Sequence, residues 1–194
     1  MAKGSSFERK ICKQLSLWWT KGKREDVFWR TAGSGARATV RSKLNKQTFG
    51  QHGDIQATDP IGQKLIDMFC FELKRGYSKE TFANLIEVSE RPKVKSSGFD
   101  SFILQAIQSR KGSGSKFWAL ITKRDRKVPM IFLPYKFILL LKNHVDCKQH
   151  TPYSLMRCPL SNKKIIIIFG TPLDNFIKIT QPKYIKKILS DWYK

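Results

Sequence analysis

The sequence predicts a mixed α/β (α+β) domain, a central mixed sheet flanked by helices, with a C-terminal extension. Three observations carry this. Segments with apolar residues at helical spacing are interspersed with short strand-like apolar runs. Turn residues punctuate the boundaries, with no internal repeat and no long low-complexity linker. At 194 residues, 41% hydrophobic and 12% aromatic, the chain can bury one core without staples.

Taken in order, residues 5–19 read as a helix, because Phe7, Ile11 and Leu15 repeat at four-residue spacing with Trp18 on the same side. Residues 27–31 have strand composition. Residues 32–51, rich in Gly, Ser, Lys and Arg, read as an exposed loop. Residues 53–57 read as a short strand, Asp59-Pro60-Ile61-Gly62 as a turn, and residues 65–74 as a second strand ended by Gly76. Those two strands are expected to pair as an antiparallel hairpin. Residues 78–98 are ambiguous, with a loop over 91–98. A helix over 99–110 closes at Gly112-Ser113-Gly114, and strands follow at 117–122 and 129–133 around a charged turn. The tail adds a helix at 135–142, an apolar strand at 165–169 and an amphipathic helix near 183–192. The expected division is a core over 1–133, with a basic insert near 36–52, and an extension over 134–194 packed on it.

Charge is the extreme feature. Lys and Arg number 37 against 15 Asp and Glu, a formal charge of +22 and a pI near 10.1. Such an excess repels itself in a compact chain and points to a polyanionic partner, nucleic acid above all. A non-catalytic nucleic-acid binder shares this charge, so charge alone does not make an enzyme. Cys12, Cys70, Cys147 and Cys158 form no C-x-x-C pair, and no His stands at zinc-finger spacing. Cys12 and Cys70 lie in apolar patterns and read as small buried hydrophobes. The N-terminus lacks a signal-peptide pattern and no apolar run is long enough to span a bilayer, so a cytoplasmic protein of a prokaryotic or phage-infected cell, with no membrane partner, is expected.

The most informative stretch is Met68-Phe69-Cys70-Phe71-Glu72-Leu73-Lys74-Arg75-Gly76. On a strand, Glu72 and Lys74 share one face while Phe71 and Leu73 take the other. An acidic residue two before a lysine also occurs at Glu8-Lys10, Asp125-Lys127 and Asp146-Lys148, but only Glu72-Leu73-Lys74 ends an apolar strand-like run. Taken alone it is also what an ordinary surface ion pair, worth ~0–1 kcal/mol, looks like. Gly53-Asp54-Ile55 lies 18 residues earlier, where a hairpin would bring Asp54 beside Glu72. Two adjacent carboxylates repel unless a cation separates them, and hard oxygen ligands suit Mg²⁺ or Mn²⁺. The Leu73 carbonyl is a further candidate ligand. Lys74 would orient the attacking water and offset charge on a phosphodiester transition state.

These residues resemble the PD-(D/E)XK nuclease superfamily, in which an acidic residue begins one strand and a Glu-x-Lys triplet lies on the next. Asp54, Glu72 and Lys74 match those positions, with Gly53 in place of the usual proline. The resemblance implies a restriction-endonuclease-like core. It implies that Glu8, on the first helix, joins the metal site. The residues leave another reading open, since Ser5-Ser6-Phe7-Glu8 also fits a helix capping box.

The segment Phe28-Trp29-Arg30-Thr31-Ala32-Gly33-Ser34-Gly35 is similar to the archaeal-type Holliday-junction resolvase branch. Arg30 and Ser34 match its arginine and Gly-Ser loop, as phosphate contacts; a solvated glycine turn is the alternative. The insert over 36–52 departs from that branch. Its Arg37, Arg41, Lys43 and Lys46, with Arg75, are candidate DNA contacts. His52, beside the Asp54 strand, reads either as a residue that supports the site or as a solvated loop residue, the second favoured. Gln105, on the helix after the triplet, is either the glutamine that related nucleases place near the site or a surface residue. Trp18, Trp19 and Trp29 are assigned to packing, and Lys163, Lys164, Lys183, Lys186 and Lys187 to an extended basic surface.

The function expected is thus a Mg²⁺- or Mn²⁺-dependent endodeoxyribonuclease. The branch resemblance implies branched DNA as substrate and a homodimer. A restriction-type, nicking or phage DNA-processing nuclease of the same fold, or a non-catalytic basic nucleic-acid-binding protein, stands as the alternative.

Overall fold

Phe7, Ile11, Cys12 and Leu15 form a fully buried stripe, and this stripe makes α1 (Lys3–Trp19) the first core helix. The structure, a computed structural model, describes residues 3–31, 52–85, 98–145, 153–159 and 165–192. Ser5 lies inside α1 rather than ahead of it, which is not the N-cap position that the alternative capping-box reading of Ser5 and Glu8 requires. Ser16, also buried, donates from Oγ to the Cys12 carbonyl at 2.8 Å and accepts from Phe28 N–H at 2.9 Å. It thereby fixes the short strand β1 (Phe28–Arg30) against the helix.

β1 pairs antiparallel with β2 (Ile55–Ala57) in a two-stranded ribbon. The expected hairpin between residues 53–57 and 65–74 is therefore corrected. Asp59 accepts from Ile61 N–H and starts a 3-10 turn, Pro60–Gly62, that runs directly into α2 (Gln63–Met68). Leu65 and Met68, three residues apart, are both fully buried, which suits one helical turn rather than a strand. The strand begins only at Phe69, as β3 (Phe69–Arg75).

β3 pairs in parallel with β4 (Phe117–Lys123), reached through a 3-10 turn at Phe82–Leu85 and helix α3 (Phe99–Ser113). β5 (Met130–Pro134) returns antiparallel to β4, and Pro134 starts α4 (Tyr135–Lys142). Two antiparallel strands, β6 (Ser154–Pro159) and β7 (Ile165–Pro172), complete a five-stranded sheet of order β3-β4-β5-β7-β6. Two helices end the chain, α5 (Leu173–Ile179) and α6 (Pro182–Trp192). β6 and α5 were not expected.

Side chains alternate across the sheet and build two cores. Phe69, Phe71 and Leu73 join α1 and the C-terminal helices on one face, where Phe69 meets Phe137 edge-on at 4.8 Å. Phe99, Phe102, Ile103 and Ala106 of α3 cover Trp118, Leu120 and Phe132 on the other. A mixed sheet with helices on both faces is a restriction-endonuclease-like fold, as expected. β6 and β7 extend the same sheet as β3, and Leu173, Phe176, Ile185, Ile188 and Leu189 enter the same core as Phe7 and Leu15. Among the described residues, no helix is long and apolar enough to cross a membrane.

Candidate active site

β3 stands at one edge of the five-stranded sheet, so β4 engages one row of its backbone groups and the other row faces outward. Gly53 and Asp54 meet that outward row. Asp54 N–H donates to the Phe71 carbonyl at 2.7 Å, and Leu73 N–H donates to Asp54 Oδ2 at 2.7 Å. Backbone groups of residues two apart on a strand point the same way, so the Leu73 carbonyl is turned to this edge as well. Thr31 N–H donates to the Asp54 carbonyl at 3.0 Å, which ties the end of β1 to the same residue. Asp54 is thus pinned between two strands and is 9% exposed.

Gly53 makes this approach feasible. Its φ is +74°, and a Cβ there would stand 2.7 Å from the Phe71 carbonyl oxygen. Proline, with φ locked near −65°, cannot adopt this backbone, which accounts physically for the glycine.

The even residues of β3 face α3. Glu72 is 3% exposed, and its Oε1 accepts from Lys74 Nζ at 2.7 Å. Ser109 Oγ approaches Glu72 Oε2 from α3 at 3.5 Å, a long contact. The Lys74 ammonium also lies 5.8 Å from the centre of the Phe102 ring. Burial raises the Glu72 carboxyl to about 7, with the Asp54 charge adding to it and Lys74 opposing. Cys70, on the same face, is a buried free thiol that burial pushes up to about 12; Cys12 behaves likewise.

Glu8 approaches from α1. Its Oε2 lies 3.2 Å from Arg30 Nε, an ion pair, yet that oxygen is buried and accepts no hydrogen bond among the described residues. Burial raises the Glu8 carboxyl, the Asp54 charge raises it further, and Arg30 opposes both. Asp54 is thus the carboxylate whose charge reaches both Glu8 and Glu72.

No three His, Cys, Asp or Glu side chains among the described residues are grouped closely enough to hold a metal by themselves. The donors that fit a hard cation are Asp54, Glu72 and the Leu73 carbonyl, all oxygen. Mg²⁺ typically uses one or two carboxylates and keeps several waters, so this sparse set suits it.

Of the other residues singled out from sequence, Arg30 joins the site through Glu8. Arg75 Nη1 donates to Ser6 Oγ of α1 at 3.3 Å. Gln105 is solvent-exposed one turn before Ser109; Ser109 is the α3 residue that reaches Glu72, and the spacing of Phe102, Ile103 and Ala106 places it at the same edge of the buried face. Ser34, Arg37, Arg41, Lys43 and Lys46 lie outside the described residues. His52 is half-buried rather than solvated: a Cβ at Gly112 of α3 would collide with its ring. Trp19 packs as expected, with Nε1 donating to the Ile61 carbonyl at 2.7 Å, but Trp29 is 47% exposed. β1 is covered on one side only, so Phe28 points in and Trp29 out.

An acidic residue at the edge of a Glu-x-Lys strand, with α1 and α3 on opposite faces of the sheet, is the arrangement of the PD-(D/E)XK superfamily. The family model described as "Phage putative PDDEXK endonuclease" matches residues 1–187, and the chain belongs to that family. No curated protein and no solved structure matches it.

Proposed function

We propose that this protein is a divalent-metal-dependent endodeoxyribonuclease whose active site is Glu8, Asp54, Glu72 and Lys74. The observation that carries the reading is the buried carboxylate pair at the β3 edge: Asp54 fixed by Leu73 N–H, beside Glu72, whose carboxyl is raised to about 7. Folding holds two acids together where they disfavour each other's charge, and Lys74 stands on the same strand face. A structural ion pair needs no second acid.

Asp54, Glu72 and the Leu73 carbonyl would hold Mg²⁺ or Mn²⁺, with Glu8 acting through water. When bound, the ion supplies charge neutralisation at the scissile phosphate and a lower pKa for the attacking water. Glu72 positions the Lys74 ammonium, whose protons can orient that water or meet the charge that develops on phosphate oxygens. Arg30 partly offsets the burial and the Asp54 charge that raise Glu8, and would present a guanidinium to the phosphate backbone. Ser109 steadies Glu72 from α3. Arg75, with Ser34, Arg37, Arg41, Lys43 and Lys46, would contact DNA, in keeping with a net charge of +22. The core over 1–133 would carry the chemistry, and the extension over 134–194 would support it.

The finer reading, a homodimer acting on branched DNA in the manner of a Holliday-junction resolvase, is supported by the resemblance around Arg30 and Ser34. The test is a cleavage panel of four-way junction, flap, nicked, single-stranded and linear duplex DNA. Cleavage is expected only with Mg²⁺ or Mn²⁺, with the junction cut preferentially. Glu72→Ala and Lys74→Ala should lose cleavage and keep binding. Cleavage in chelator, or unaltered by both substitutions, would refute the site; equal cutting of linear duplex would refute the junction preference alone.

A further inference from the structure

At the opposite end of the sheet from β3 lies a cavity of about 450 Å³. It opens between β6, β7, α4, α5 and α6, on the face away from Glu72. Four inter-strand spacings separate β3 from β6, so the cavity is roughly 15–20 Å from the carboxylates. Its size falls within the ~300–1,000 Å³ of small-molecule sites.

The lining is chemically one-sided. Tyr135, Tyr153, Phe169, Phe176 and Tyr184 contribute rings, and Tyr153 stacks on Phe169 with centroids 5.5 Å apart and planes 25° from parallel. Tyr153 is nevertheless 67% exposed, so this stack has an open outer side. Among the described residues, Lys142 and Lys178 are the charged side chains that line the cavity, and no carboxylate does. Thr180, another lining residue, is completely buried and its hydroxyl has no hydrogen-bond partner among the described residues. Leaving a buried hydroxyl unpaired is costly, and a ligand with hydrogen-bonding groups relieves that cost. Rings favour a planar aromatic ligand, and the two lysines favour an anion attached to it.

We propose that this cavity is a nucleotide-binding site, taking a base against the aromatic side chains and its phosphate at Lys142 and Lys178. The nucleotide is either free or one residue of a DNA strand, and the chemistry of recognition is shared. Binding here requires no hydrolysis at the carboxylate site.

The test follows the methyl resonances of Ile138, Val145 and Ile179 in the full chain. Deoxyadenosine monophosphate, deoxyadenosine, inorganic phosphate and a short single-stranded oligonucleotide are titrated separately. The monophosphate is expected to shift these methyls saturably, and more tightly than deoxyadenosine or phosphate. Tighter binding of the oligonucleotide at the same methyls identifies a strand as the source; tighter binding of the monophosphate identifies a free nucleotide. Lys142→Ala with Lys178→Ala, both exposed positions, should weaken binding about tenfold or more, a loss of about 1.4 kcal/mol. Tyr153→Ala should weaken it as well. Absent or non-saturating shifts with every probe, equal affinity for deoxyadenosine and its monophosphate, or unchanged binding in these folded variants would each overturn the proposal.

Discussion

Replacing Glu72 with glutamine keeps the shape of the side chain and an acceptor for Lys74 while removing the titrating group. In the folded, metal-free protein this carboxyl titrates at about 7, against 4.5 for the ordinary group. Between those values the folded state holds a proton that the unfolded state has released. Stability must therefore fall as pH rises through this window, and the loss is complete above about pH 7. The gap corresponds to about 3 kcal/mol. With Glu72 only 3% exposed and Lys74 half-buried beside it, solvent screening removes little of this. Urea unfolding in the presence of chelator measures it, since urea leaves ionic strength unchanged. The informative quantity is the stability of Glu72→Gln minus that of the wild type, taken at about pH 4 and again at about pH 8. Subtracting the two cancels any pH-independent packing effect of the substitution. The difference should move by about 3 kcal/mol in favour of the glutamine variant at the higher pH. Mg²⁺ should then stabilise the wild type more than the variant. A difference that stays constant with pH would refute the reasoning, because Glu72 would then titrate alike in folded and unfolded chains.

Other consequences follow from the same geometry. Gly53→Ala combines a left-handed φ with a Cβ 2.7 Å from a carbonyl oxygen, so it should cost about 2 kcal/mol or more and displace Asp54; normal urea stability with normal cleavage would contradict this. Arg30→Ala removes the guanidinium that holds Glu8 down, so the acid limb of the pH–cleavage profile should move to higher pH, and an unmoved limb would separate Glu8 from the chemistry. Ser109→Ala should raise the Glu72 titration, read by carboxyl carbon NMR, while Gln105→Ala should leave it in place. The reverse order would restore Gln105 as the contact from α3.

The elements that depend on local pattern were legible. The α4 helix was expected over 135–142 and is Tyr135–Lys142, because Pro134 favours a helix start and Phe137, Ile138 and Leu141 supply one apolar stripe. α6 followed from a similar spacing. β6 was not legible: Ser154–Pro159 mixes polar and apolar residues, and its partner β7 supplies the pairing. Residues 65–68 read as strand because they run without a break into the apolar stretch at 69–71, and a short apolar run does not by itself separate strand from helix.

By itself, the sequence determined which side of a strand Glu72 and Lys74 share, since a period of two requires it, and its net charge of +22 made a polyanionic partner the expectation. Only the tertiary structure decided how Asp54 reaches them. No hairpin brings it there. β3 pairs in parallel with β4, and Gly53–Asp54 closes on the free edge of β3 from a separate ribbon. Strand partners are chosen by contacts between residues far apart in the chain, and local periodicity carries no record of them. The same holds for Glu8, which the pattern left between a helix cap and a site ligand. The fold turns it toward Arg30 and Asp54, because α1 must bury Phe7, Ile11 and Leu15, and that requirement fixes where the adjacent carboxylate points.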